Sequence, residues 1–314
     1  MTTSKIYRYQ LDNTSKKFQC PECRRNTFVK YIDVIEQEYL HEYAGRCDRE
    51  NNCGYHLPPR EFFGKAFKRE GYTIIESKKE NNEKIDFMPI SHVERSLDLY
   101  HQTDFAYFIE NLLGKEKRDK IFTEYFVGHG GIEGSCVFWR IDSNINVRTG
   151  KIMHYDRITG KRRKDISPTW AHVNLKPFRY KQCLFGEHLL SEYSNKTVGI
   201  VESEKTAMIA SAFKPEIVWL ATGGKYGCKW QEYDVHKVLR GRNIIFFPDF
   251  GYANKAKGIT CYQHWCEKAT LISKSITCNI IVSKVLENSL SPSDRALDLD
   301  IADLWVREME ANRN

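Results

Sequence analysis

The sequence predicts a parallel α/β sheet flanked by helices, preceded by a small basic α+β segment and an N-terminal module held together by cysteines. Three observations carry this. Between Thr197 and Gly251, three short apolar runs (Val198–Val201, Ile217–Ala221 and Asn243–Phe247) each stop at a polar or glycine turn. Such runs are the signature of strands buried on both faces. Upstream, 11 Lys/Arg against 3 Asp/Glu lie between Arg140 and Gln182, a local charge of +8 in a chain whose total is +7. Near the start, Cys20, Cys23, Cys47 and Cys53 form two close pairs.

The 314 residues suffice for two or three domains, and the 41% hydrophobic content suffices for real cores. No run of 18 apolar residues occurs and the start, Met1-Thr-Thr-Ser-Lys5, is polar after its Met. Neither a membrane span nor a secretory signal is expected, and a cytoplasmic location is. Ten cysteines fit that reducing compartment better than a disulfide framework. We expect a module over 1–62, a linker over 63–90, a basic α+β domain over 91–190 and the parallel α/β domain over 191–314.

In the first module, Cys20-Pro-Glu-Cys23 is a Cys-x-x-Cys knuckle, and Cys47 and Cys53 follow after 23 residues. That interval suits a hairpin, Thr27–Ile32 against Tyr39–Leu40. Four thiolates at tetrahedral reach make a closed structural zinc site. The second pair is spaced by five residues, wider than usual, so either the wider loop is tolerated or His56 replaces Cys53. Arg24, Arg25, Lys30, Tyr31, Arg46, Arg49 and Tyr55 surround the ligands, a mixture suited to stacking on single-stranded bases and contacting phosphate. A protein-docking role competes with that reading.

Glu76–Lys84 is charged and aperiodic, a tether. From His92, apolar residues recur at helical steps, with Gly114 closing a helix and a further one over Glu116–Phe122. Cys136–Asp142 and Val147–Asp156 read as antiparallel strands. The basic residues fall on and around them, and Arg148, Lys151, Lys161 and Arg162 are the expected phosphate contacts. His154 and His172 are expected to be structural.

In the last domain the three strands end in Glu202, Gly223-Gly224 and Asp249. Ligands of open α/β sheets bind beyond such strand ends, and two carboxylates there select a hard cation, magnesium or manganese. Lys205 and Lys225 are placed to meet phosphate. A fourth strand, Ile280–Val285, precedes Leu297-Asp-Leu-Asp-Ile-Ala-Asp303. On a helix, Asp300 and Asp303 would share a face; helix-dipole acids are the other reading of the pair.

These strand ends resemble the Toprim domain of bacterial-type primases, topoisomerases and some nucleases. Its pattern is a Glu after the first strand, a glycine turn after the second and Asp-x-Asp after the third; here Gly251 stands where the second Asp belongs. The order of cysteine module, tether, basic domain and Toprim core is that of bacterial-type primases. The whole chain is similar to compact zinc-ribbon/Toprim proteins of Bacteroidetes and their mobile elements. The matching stretches are Cys20-Pro-Glu-Cys23, Gly45-Arg-Cys47, Asn52-Cys-Gly-Tyr-His56, Val137-Phe-Trp139, Arg148-Thr-Gly-Lys-Ile-Met153, Gln182-Cys-Leu-Phe-Gly-Glu187 and Val201-Glu-Ser-Glu-Lys-Thr-Ala207.

The resemblance implies a primase-like nucleotidyltransferase acting on single-stranded DNA or RNA and nucleoside triphosphates. Glu202, Asp249, Asp300 and Asp303 are its candidate catalytic residues, with Glu202, Asp249 and Asp300 as ligands of magnesium or manganese. A replicative helicase would be a separate partner, since the sequence has no nucleotide-binding phosphate loop. Two alternatives stay open: a metal-dependent nuclease, and a nucleic-acid-binding protein that has lost activity, as Gly251 hints.

Overall fold

The computed structural model describes residues 5–34, 36–49, 51–63, 71–73, 85–175, 177–224, 227–230 and 232–312. The tether Glu76–Lys84 and Lys225 lie outside these residues. The chain divides into two compact units, Met1–Glu83 with Tyr252–Ile259, and Lys84–Gly251 with Thr260–Asn314.

The first unit is built on one long strand. β1 (Tyr9–Leu11) and β2 (Phe18–Gln19) pair antiparallel with β3 (Asn26–Asp33), as do β4 (Glu38–Tyr39) and β5 (Gly45–Cys47); β6 (His56–Leu57) extends the sheet from β5. The hairpin expected from the cysteine interval is therefore β3–β4. Its core is small: Phe28, Cys20 and Cys47 are buried, with Phe18, Cys23, Cys53 and Tyr55 packed around them. So few apolar side chains do not stabilise a fold of this size alone, which is why such modules depend on a cross-link or a metal.

The second unit opens with α1 (Ile90–Leu97), α2 (Asp104–Leu113) and α3 (Lys115–Glu124). Thr103 caps α2 by accepting from the Ala106 N–H at 3.0 Å, and Gly114 ends it at φ 87°. An antiparallel sheet follows, β7 (Val127–His129), β8 (Cys136–Ile141), β9 (Val147–Met153) and β10 (Thr169–Trp170), in the order β10-β9-β8-β7. The basic segment thus forms a meander as expected, but β8 is buried along its whole length.

The third layer is the parallel sheet. β11 (Thr197–Val201), α4 (Glu204–Phe213), β12 (Ile217–Ala221), β13 (Asn243–Phe246), α5 (Cys261–Ser275) and β14 (Asn279–Val282) give the strand order β12-β11-β13-β14, every pair parallel. α6 (Ile301–Ala311) closes the chain. Val198, Ile200, Val218, Trp219, Leu220, Ile244 and Phe246 are all buried, each contributing roughly 1.5–3 kcal/mol on removal from water.

One apolar core runs through both sheets, from Phe105, Phe122 and Phe138 to Ile200, Trp219 and Phe246. Polar links reinforce it. Phe185 and Ala221 exchange backbone hydrogen bonds at 2.9 and 3.0 Å, and the Tyr125 hydroxyl donates to the Trp219 carbonyl at 2.9 Å. No described helix is long and apolar enough to cross a membrane.

Candidate active site and zinc centre

In the first unit the four cysteine Sγ atoms lie within 4.8 Å of one another, the convergence a tetrahedral zinc requires. The Cys20 carbonyl accepts from the Arg24 N–H at 2.9 Å, folding the knuckle. The wide second pair is explained by a second turn: the Arg49 carbonyl accepts from the N–H groups of Asn52 and Cys53 at 3.0 and 2.8 Å, which swings Cys53 back toward Cys47. Gly54, at φ 71°, releases the chain from that turn. His56 points elsewhere, its Nε2 lying 2.9 Å from the Tyr31 hydroxyl. Cys53, rather than His56, is the fourth member of the cluster.

In the second unit the turns beyond the parallel strands lie together. Glu202 follows β11 directly and is buried. Its carbonyl accepts from the N–H groups of Gly223 and Gly224, beyond β12, at 2.8 and 2.7 Å. The Glu turn and the glycine turn are thereby one structure. Ser203 caps α4, its hydroxyl accepting from the Thr206 N–H at 3.1 Å, so the helix begins at Glu204, three residues before Ala207, where the apolar pattern places its start.

Asp249 follows β13. Its Oδ1 is buried and has no hydrogen-bond partner among the described residues. Burial, and then the negative charges of Glu202, Asp300, Asp303 and Asp298, hold its carboxyl well above the usual carboxylate range. Asp300 is the N-cap of α6 rather than a residue within it: its Oδ1 accepts from the Asp303 N–H at 3.0 Å, and Asp303 Oδ2 accepts from the Asp300 N–H at 3.0 Å. This is a reciprocal capping box built from two aspartates. Asp300 Oδ2 takes a further bond from the Thr206 hydroxyl at 2.6 Å. Burial, then Asp303, raise the Asp300 carboxyl, while Lys205 opposes them.

The site is a set of carboxylates, Glu202 and Asp249 beyond strand ends and Asp298, Asp300 and Asp303 at the start of the last helix, with Lys205 near Asp300 and a buried oxygen on Asp249, chemistry that suits a hard divalent cation. It is looser than the zinc centre. Among the described residues, only the four cysteines bring three or more metal-binding atoms within 4.8 Å.

The basic residues divide. Lys151 does not face outward: its Nζ donates to Glu204 Oε1 and Oε2 at 3.2 and 3.1 Å and to the Gly223 carbonyl at 3.0 Å. Arg148 pairs with Asp142 at 2.6 Å. These two expected phosphate contacts thus have internal carboxylate partners. Lys161 and Arg162 are exposed, and Lys205 is half-buried beside Asp300. His172 has an internal partner, its Nδ1 lying 2.5 Å from the Thr149 hydroxyl.

Two features escape the sequence reading. One is the buried cluster of Arg140, Lys151 and Glu204, whose signal is a lone arginine inside the apolar run Val137-Phe-Trp-Arg-Ile141. The other is Asp298, whose backbone sits at φ 48° and whose charge reaches Asp249.

A zinc beta-ribbon finger family matches residues 7–68. A domain of unknown function (DUF6371) matches residues 103–250, taking in the antiparallel sheet and the first two carboxylate turns. The first unit is thus similar to a zinc ribbon. Among curated proteins none matches the chain. Of solved structures, the primase fragment of the bacteriophage T7 primase-helicase protein is 12% identical, over 98% of this chain and 97% of that one, with a TM-score of 0.40. The T7 primase domains of gp4 bound to an RNA/DNA hybrid and dTTP, in complex with the lagging-strand polymerase, are 13% identical over 62% of this chain and 82% of that one, at 0.41. The zinc-binding and RNA polymerase domains of the Aquifex aeolicus primase are 11% identical over 89% and 77%, at 0.38.

Proposed function

We propose that the chain is a primase-like nucleotidyltransferase with a Toprim-type core, joining nucleotides on a single-stranded template by metal-dependent phosphoryl transfer. The observation that carries this reading is the buried Oδ1 of Asp249, which has no hydrogen-bond partner among the described residues and feels the charges of Glu202, Asp298, Asp300 and Asp303. A buried carboxylate oxygen without a donor is costly unless a cation completes it. Glu202, Asp249 and Asp300 would hold magnesium or manganese. When bound, the cation supplies charge stabilisation at the attacking and leaving oxygens of the transferred phosphoryl group.

The chain's own residues do the rest. The Gly223-Gly224 turn fixes the Glu202 backbone. Thr206 and the Asp303 N–H hold Asp300 in one orientation. Lys205, facing Asp300, and the exposed Lys161 and Arg162 are the candidates to meet triphosphate and strand. The zinc ribbon, with its aromatic and basic surface, is the candidate to grip single-stranded nucleic acid.

The test is incubation of the full chain with single-stranded DNA, labelled nucleoside triphosphates and magnesium or manganese, with Glu202→Gln alongside. Short labelled chains that disappear in the variant are expected. Shortened DNA would reassign the site to a nuclease, and bound but unchanged DNA would leave a binding protein.

A further inference from the structure

The strand-end motif lacks its second aspartate, because Gly251 stands two residues beyond Asp249. The fold brings another carboxylate to that spot. Phe250 and Leu299 form an antiparallel bridge, the Phe250 N–H donating to the Leu299 carbonyl at 2.7 Å. In an antiparallel pair, the residues on either side of such a bridge also face one another, and their side chains project from the same surface. The register therefore sets Asp300 across from Asp249 and Asp298 across from Gly251.

Geometry at Gly251 agrees. A Cβ built there would fall on Asp298 Oδ1, well inside contact distance, and 3.4 Å from Asp298 Cγ. The next neighbour, Cys261 Sγ, is 3.8 Å away. The Asp298 carboxylate thus occupies the volume that a side chain at position 251 would fill. It reaches there from a left-handed backbone, φ 48°, a conformation that aspartate tolerates better than most residues. Its charge also acts on Asp249, whose buried Oδ1 has no hydrogen-bond partner among the described residues.

We propose that Asp298 supplies the carboxylate missing at position 251, completing a divalent-cation site with Asp249, Glu202 and Asp300 from a different segment of the chain. This rests on the phosphoryl-transfer reading of the site. It also explains why position 251 is glycine: any larger residue would displace Asp298.

The test is manganese binding to the full-length, zinc-saturated chain, followed by the electron paramagnetic resonance signal of the free ion. Four variants are compared: Asp249→Asn, Asp298→Asn, Asp298→Gly, and Asp298→Gly combined with Gly251→Asp. Each is checked for folding by circular dichroism. Asp298→Asn and Asp298→Gly should each weaken binding by at least about tenfold, since loss of even an outer partner of a metal site costs that much. The double variant, which moves the carboxylate back to the third strand end, should recover most of the loss. Glycine tolerates the left-handed backbone at 298, so a folding failure of the asparagine variant leaves the comparison intact.

Wild-type affinity in Asp298→Asn and Asp298→Gly, with binding lost in Asp249→Asn, would overturn the role of Asp298 while leaving the cation site in place. Absence of manganese binding by the wild-type chain at millimolar ion would overturn both.

Discussion

Arg140 Nη2 lies 3.0 Å from Glu204 Oε1, and both side chains are buried, at 3% and 1% exposure. Arg140 belongs to the antiparallel sheet and Glu204 to the helix that follows the first parallel strand. Lys151 completes the cluster from the neighbouring antiparallel strand. Burial pushes the Glu204 carboxyl up, and Lys151 and Arg140 more than offset it, so that it stays ionised below the ordinary range. Two glutamates two residues apart thus have separate roles. Glu202 faces the candidate active site, and Glu204 ties the two sheets together.

That division predicts unequal effects of the same substitution. Glu204→Gln should destabilise the chain by about 3–5 kcal/mol, the cost of leaving buried cations without their partner. Glu202→Gln, which removes one charge from a crowded acidic site, should cost much less. Urea denaturation of the two variants checks this. Equal losses would contradict the division.

How much of this was legible in the sequence depends on how local each signal is. The parallel strands could be read because each is a short apolar run closed by its own turn, and Glu202 and Asp249 because they stand at those turns. The cysteine cluster was legible from spacing. The fate of Lys151 was not: nothing within its strand says that its carboxylate partner is Glu204, 53 residues onward and at the start of a helix. That Asp300 stands before the helix and exchanges cap hydrogen bonds with Asp303, rather than sharing a helix face with it, could not be read from their spacing. Asp298 was hidden because its partner position is defined by a single bridge between distant segments.

The zinc centre gives a second prediction. Cys53→Ser should abolish tight zinc binding and unfold the first unit, because a small core depends on the metal for its folding free energy. His56→Ala should retain one equivalent of zinc, since the His56 ring is engaged with Tyr31, with which it also stacks at 6.0 Å between centroids. Zinc content by atomic absorption, with circular dichroism before and after chelation, decides between the two residues.

A third prediction concerns pH. The Glu187 side chain is buried, 3% exposed, and burial pushes its carboxyl up to about 7 despite backbone N–H bonds from Leu184 and Ser143 at 3.1 and 3.2 Å. An unfolded chain releases this proton near pH 4.5, whereas the folded chain keeps it until about 7. The folded state therefore binds the extra proton between those values, and stability falls as pH rises through that window, by about 3 kcal/mol in total. Glu187→Gln removes this dependence, at a pH-independent cost of about 1–3 kcal/mol for the acceptor it lacks. Urea midpoints at pH 5 and pH 8 give the comparison. A wild-type-minus-variant difference that is the same at both pH values would show that Glu187 ionises normally.

The glycine turn offers the sharpest test of how the site is braced. Gly223 has φ 85°, and a Cβ there would fall on the Arg140 guanidinium and lie 2.9 Å from Glu204 Oε1. Gly224 has φ 116° but, among the described residues, nothing within 4 Å of an added Cβ. Gly224→Ala should therefore cost backbone strain alone, about 1–3 kcal/mol. Gly223→Ala should cost that and more, because Arg140 must leave Glu204 to make room. The excess should vanish in an Arg140→Ala background, where the space is open and the ion pair already lost, giving a coupling energy of about 0.5–3 kcal/mol in a double-mutant cycle. Additive effects would mean that the turn and the ion cluster are independent, and that Gly223 is required only for its backbone angle.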